Sequence, residues 1–128
     1  MQVRLLFVDD EPAIRSAIEM FLSAREYQVD LAEDLEGAVS LLMTRQYDAV
    51  ITDLRLSARN RTEGLEIIRL ARERLPDAKV MLLTGYGSAS VEKEALARGA
   101  DCCVQKPIPL GELEQMLRIL LKLPNASN

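Results

Sequence analysis

The sequence predicts an α/β domain in which a parallel β-sheet carries helices on both faces. Three observations predict it. Short apolar runs of strand character alternate with stretches of helical period, five times over. Runs such as Val3 to Val8 and Lys79 to Thr84 are almost unbroken, as strands buried on both faces are. The runs close on polar, glycine or proline residues that stop a strand and open a turn.

The first strand, Val3 to Val8, stops at the acidic corner Asp9-Asp10-Glu11. Pro12 suits a first helical turn, where its missing N–H costs nothing, and Ile14, Ala17, Ile18, Phe21 and Leu22 follow at helical spacing. Tyr27 to Ala32 alternates in part and is short, which predicts a strand nearer the sheet edge. Leu35, Ala38, Val39 and Leu42 form the next amphipathic stripe, ending before Tyr47. Ala49, Val50 and Ile51 are the centre of a third strand that delivers Asp53 to its lip.

Residues 56–64 are polar and without period, hence a loop. Leu65, Ile68, Ala71 and Leu75 predict a third helix, stopped by Pro76. The strand Lys79 to Thr84 is closed by Gly85-Tyr86-Gly87; Ser88 or Ser90 caps a fourth helix, and Gly99 is its natural left-handed terminator. Ala100 to Gln105 reads as the last strand, ending at Lys106-Pro107. Leu110, Leu113, Leu117, Leu120 and Leu121 fit a fifth helix, after which Pro124 to Asn128 reads as a tail or the start of a linker. The expected organisation is one domain over residues 1–122 with a tail over 123–128.

Composition narrows the function. At 128 residues, 48% hydrophobic and 28% charged, the chain is sized for one core. No apolar run reaches a membrane span and the N-terminus is broken by Asp9 and Asp10 too soon for a secretion signal, so a cytoplasmic location is expected. The net charge of −4 argues against a direct nucleic-acid surface. Cys102 and Cys103 are adjacent, poorly placed for a structural disulfide or a metal site, and read as two reduced thiols packed as small hydrophobes. Without histidine, serine–histidine hydrolysis, histidine-ligated zinc and a phosphohistidine on this chain are all excluded.

In an open parallel sheet ligands bind at the carboxyl ends of the strands. That rim collects Asp9 and Asp10, Asp53, Thr84 and Lys106, each group following a different strand. Taken singly, the acids read as helix caps or turn residues, the threonine as a strand residue and the lysine as solvated surface. Their coincidence in one crevice favours chemistry. Two like charges about 4 Å apart at an effective dielectric near 20 repel by about 4 kcal/mol, enough to force protons onto a carboxylate cluster unless a cation intervenes. A hard ion with oxygen ligands, Mg²⁺ or Mn²⁺, resolves the conflict. Asp53 can then stay ionised and attack a phosphoryl group, with Lys106 pairing with one phosphoryl oxygen and Thr84 donating to another.

Asp9-Asp10 after the first strand, Asp53 after the third, Thr84 after the fourth and Lys106-Pro107 after the fifth resemble the receiver domain of two-component response regulators over nearly the whole chain. The resemblance implies a flavodoxin-like (βα)5 fold with sheet order 2-1-3-4-5. It implies that Asp53 accepts a phosphoryl group from the phosphohistidine of a sensor histidine kinase or phosphotransfer protein. Asp10, Asp53 and the backbone carbonyl of Arg55 would ligate the metal, Asp9 acting mainly through water. The bond before Pro107 would be cis. Such a domain is not a conventional enzyme, yet it catalyses its own phosphorylation and slow autodephosphorylation. Its output goes to a downstream partner or domain through the fourth helix, last strand and fifth helix, with a homodimer on phosphorylation left open.

Two departures stand out. Cys103 occupies the position three before the lysine, where the family often has an aromatic whose rotamer follows the threonine. The segment between Asp53 and Gly64 is a few residues longer than the common pattern, with Ser57 where proline is usual; it reads first as a solvated loop, and second as one whose Arg59 and Arg61 touch a partner or the phosphoryl group. Tyr86 is placed to shield an acyl phosphate from water. Haloacid-dehalogenase-like phosphatases need a second acid two residues after the first, where this chain has Arg55. A dinucleotide site at Gly85-Tyr86-Gly87 lacks its third glycine and its ribose acid. The alternative from another class is a receiver-like interaction module that works without phosphorylation.

Overall fold

The computed structural model describes residues 2–54, 63–85 and 88–124. Strands and helices alternate in the order β1 Val3–Val8, α1 Pro12–Ser23, β2 Tyr27–Ala32, α2 Leu35–Thr44, β3 Ala49–Asp53, α3 Glu63–Arg74, β4 Lys79–Thr84, α4 Ala89–Arg98, β5 Cys102–Gln105 and α5 Leu110–Leu121. The five strands form one parallel sheet ordered β2-β1-β3-β4-β5, the flavodoxin-like topology.

Alternation along each strand splits the core into two layers. Leu5, Phe7, Ile51, Met81 and Leu83 face α1 and α5, where Ile18, Leu22, Leu113 and Leu117 meet them. Leu6, Val8, Val50, Val80 and Leu82 face the other way, against Ala38 and Leu42 of α2, Leu65, Ile68 and Ala71 of α3 and Ala95 of α4. The central strands are buried on both sides, which is why their sequences are continuous rather than alternating. β2 is an edge strand, and its half-buried residues explain its weaker pattern.

The helix ends follow local chemistry. Asp34 caps α2 by accepting the Gly37 amide at 2.8 Å, and Ser88, of the two serines available, caps α4 by accepting the Val91 amide. β5 begins at Cys102, two residues later than the sequence pattern suggests. Gly99, with φ +120°, turns the chain so that the Ala100 amide donates to Ala95 O at 3.0 Å; Ala100 thus completes the end of α4 before the strand begins. Arg72 secures this corner by donating to the carbonyls of Gly99, Pro76 and Ala78 and pairing with Asp101 at 2.8 Å.

Cys102 and Cys103 project to opposite layers, both half-buried and free. Burial pushes the Cys102 thiol up to about 11 and raises Cys103 as well, so both are protonated, apolar fillers at neutral pH. Packing continues beyond α5: the Leu123 amide donates to Arg118 O at 2.9 Å, and the Arg118 guanidinium donates to Pro124 O. No described helix is long and apolar enough to cross a membrane.

Candidate phosphoryl-acceptor site

The parallel sheet delivers all its strand ends to one rim. β1 hands over to Asp9 and Asp10, β3 ends on Asp53, β4 ends on Thr84, and β5 hands over to Lys106. One carboxylate oxygen from each of Asp9, Asp10 and Asp53 lies within 4.8 Å of the others. Asp9 is fully buried, Asp53 is 8% exposed and Asp10 is open to solvent.

Backbone amides hold the two buried acids. The helix-capping position is taken by Glu11, which makes no side-chain cap; the Asp9 carboxylate instead accepts the Glu11 amide at 2.9 Å through Oδ1. Its Oδ2 receives the Lys106 ammonium at 2.8 Å, and the same ammonium stands 3.3 Å from Asp53 Oδ2. Asp53 Oδ1 accepts the Leu54 amide at 2.8 Å. The Lys106 amide donates to Thr84 O at 3.0 Å, which joins the ends of β4 and β5, and Thr84 itself is buried. The Lys106–Pro107 peptide is cis.

One ammonium bridges two of three crowded carboxylates. Burial raises the Asp53 carboxyl from its ordinary value; the Asp9 charge adds to the push, against the pull of Lys106. Burial alone would lower the Lys106 ammonium, but its hydrogen bond to Asp9 and the charges of Asp53 and Asp9 outweigh it and hold it up. The donor set is hard, anionic and open on the Asp10 side, which fits a small divalent cation that keeps some of its waters.

The Asp53 shift has a definite sign in stability. A carboxyl raised in the folded state supports folding while it is protonated, below about pH 4, and that support is lost as pH rises through the raised value. At pH 7 the ionised group therefore costs stability. Asp53→Asn is expected to melt higher than the wild type at pH 7 without divalent cation, with the difference shrinking as the sample is acidified through the carboxylate range. Thermal melts across pH read this directly.

The sequence-predicted Asp9, Asp10, Asp53, Thr84 and Lys106 are thus gathered at one rim. The Arg55 carbonyl, the loop residues Ser57, Arg59 and Arg61, and Tyr86 lie outside the described residues. Sequence reasoning missed Arg15, which donates to the Asp9 carbonyl at 2.7 Å and faces Glu33 at 3.8 Å. Its signal was available: it is the one basic residue in α1, a turn beyond the acidic corner.

A doubly wound sheet with an acidic crevice at its strand ends defines a class of small aspartate-centred α/β modules. The model of the response regulator receiver domain matches residues 5–118, and the chain belongs to that family. It is similar to the response regulator MprA of Mycolicibacterium vanbaalenii, at 37% identity over 122 residues that make up 95% of this chain and 52% of that protein. It is also similar to the response regulator protein PilR of Pseudomonas aeruginosa, at 33% identity over 95% of this chain and 27% of PilR. The chain spans about half the length of the MprA relatives it matches.

Among solved structures, a CheY-like receiver domain protein from Methanospirillum hungatei superposes with TM-score 0.89 at 25% identity, covering 95% of both chains. A response regulator from Burkholderia pseudomallei, solved with a phosphorylated aspartic acid, a calcium ion and citrate, superposes with TM-score 0.82 at 27% identity, over 93% of this chain and 66% of that one.

Proposed function

We propose that this chain is a phosphoacceptor switch of a two-component relay, with Asp53 as acceptor. The observation that carries the reading is the buried Asp53 carboxylate at the end of β3, facing the Lys106 ammonium at 3.3 Å beside a second buried acid, Asp9. The phosphorylated aspartate of the Burkholderia pseudomallei neighbour supports it.

In the proposed reaction an Asp53 carboxylate oxygen forms a bond to phosphorus as the P–N bond of a partner's phosphohistidine breaks, and the imidazole leaves with the electron pair. Lys106 pairs with one phosphoryl oxygen and the Thr84 hydroxyl donates to another. Asp10, Asp53 and the Arg55 carbonyl are the proposed metal ligands, with Asp9 acting mainly through water. The cation, Mg²⁺ or Mn²⁺, supplies neutralisation of the charge gathered on the phosphoryl oxygens. The proposed domain spans residues 1–122, with 123–128 as tail or linker.

The proposed partners are a sensor histidine kinase or histidine phosphotransfer protein upstream and a protein or output domain downstream, in a cytoplasmic setting. The downstream face is built from α4, β5 and α5. α4 suits that role because Ala95 is its one buried residue among those described, so little packing resists its displacement. With Cys103 on β5, half-buried and small, no aromatic ring relays the movement of Thr84; displacement of α4 carries it instead. Coupling of this kind is typically about 1–3 kcal/mol, about a 5- to 150-fold change in partner affinity rather than an absolute gate.

Intact-mass measurement after incubation with Mg²⁺ and acetyl phosphate tests the reading. One added phosphoryl group is expected on the wild type and none on Asp53→Asn. A wild type that stays unlabelled would favour the alternative, an interaction module that works without phosphorylation.

A further inference from the structure

The backbone of Asp53 is held more closely than the end of a strand requires. The Thr52 hydroxyl, fully buried, donates to the Asp53 carbonyl oxygen at 2.9 Å. Gly64 in the first turn of α3 presses on the same carbonyl. A Cβ placed on Gly64 would stand 2.2 Å from the Asp53 carbonyl oxygen, 3.0 Å from its carbon and 2.7 Å from Leu54 Cα, far inside van der Waals contact with backbone that cannot swing away. Glycine is the poorest helix former after proline, so its place in α3 needs a reason beyond propensity. Gly111, in the first turn of α5, shows the contrast: a Cβ there would meet nothing within 4 Å.

The close approach is also bonded. The Gly64 amide donates to Leu54 O at 2.9 Å, and the Leu54 amide donates to Asp53 Oδ1 at 2.8 Å. The start of α3 therefore anchors Leu54 through its carbonyl and crowds the Asp53–Leu54 peptide, whose N–H holds Oδ1, and Oδ2 is left turned to Lys106.

We infer that Thr52 and Gly64 are positioning residues for the phosphoacceptor, a clamp on the Asp53 peptide that fixes the direction from which its carboxylate meets phosphorus. The inference rests on the acceptor role proposed for Asp53. Neither residue touches the phosphoryl group; each acts through the Asp53 backbone. Displacing a nucleophile by about 1 Å can cost about a hundredfold in rate, so a clamp that prevents such a shift has a kinetic readout.

The test is the initial rate of phosphoryl uptake from acetyl phosphate at saturating Mg²⁺, in which the Asp53 O–P bond forms as the donor P–O bond breaks and acetate leaves. Each variant is also melted. Gly64→Ala is expected to react about tenfold more slowly or worse. Ile68→Val, a core change in the same helix that lowers the melting temperature without reaching Asp53, is expected to keep the wild-type rate. Thr52→Val is expected to be about fivefold slower, the scale of one lost hydrogen bond, and Thr52→Ser to recover most of that loss. A mere packing role for Thr52 predicts the reverse order, because valine keeps the branched shape and serine loses a methyl.

Folded Gly64→Ala and Thr52→Val proteins that react at the wild-type rate would overturn the clamp, as would Thr52→Ser reacting more slowly than Thr52→Val. If Gly64→Ala does not fold, the Thr52 pair decides. A wild type that takes no phosphoryl group removes the acceptor role and the clamp together, whereas a labelled wild type with unaffected variants removes the clamp alone.

Discussion

Lys106→Met is expected to lose about 3 kcal/mol of stability at pH 7 in the absence of divalent cation, read from urea unfolding. The lysine is the cation between Asp9 and Asp53, at 2.8 and 3.3 Å, and Asp9 is fully buried. Methionine keeps most of the aliphatic stem, so packing changes little. What is lost is the counter-charge, and an uncompensated buried carboxylate is among the most destabilising features a fold can carry. The variant has two ways to relieve the crowding: bind a proton or bind a divalent ion. Both are measurable, because stability should recover on acidification and Mg²⁺ should stabilise the variant by more than it stabilises the wild type. Equal midpoints for the two proteins would mean that the acids are not crowded in solution.

A loss of similar size is expected far from the site. At the start of β2, the Tyr27 hydroxyl donates to Glu114 Oε2 at 2.8 Å; Arg118 Nε stands 2.5 Å from the same oxygen, and its guanidinium also meets Glu26. Glu114 is 4% exposed. Arg118→Met leaves that carboxylate buried without its cation, at a cost of about 3 kcal/mol. The double change Glu114→Gln with Arg118→Met should recover most of the loss, because the amide is neutral and still accepts the Tyr27 hydroxyl. Denaturant midpoints of the single and double variants check the non-additivity. Phosphoryl uptake by folded Arg118→Met should match the wild type, since Tyr27 pairs with Val3 at the opposite end of the strands from Asp53.

These two clusters differ in how far the sequence disclosed them. Asp9, Asp10, Asp53, Thr84 and Lys106 were legible because each directly follows or ends an apolar strand, and parallel topology sends every such end to one rim. Strand order followed from the family resemblance, whereas helices on both faces of the sheet followed from the alternation of strand and helix patterns.

Glu114 and Arg118 were illegible for a physical reason. Each sits one residue past a core leucine, Leu113 or Leu117, at spacing i,i+4, the usual look of a solvated pair. Partners distant in sequence cover them: Tyr27 reaches Glu114 from 87 residues away and Glu26 reaches Arg118 from 92. The crowding of Gly64 against Asp53 is likewise a contact across a loop, and no local pattern announces it. The sequence pattern carries β5 two residues too far because nothing in Ala100 and Asp101 marks a break, although the backbone of Ala100 is committed to closing α4.

The central claim is that carboxylates which repel one another become, with a cation, a site where Asp53 carries a transient phosphoryl group. The most direct test is the intact-mass assay with acetyl phosphate, run first in excess chelator and then with Mg²⁺ titrated back. The account predicts negligible labelling in chelator, a rise to one phosphoryl group per chain that saturates with Mg²⁺, and no label on Asp53→Asn at any concentration. Labelling at full rate in chelator, or a label that persists on Asp53→Asn, would contradict it.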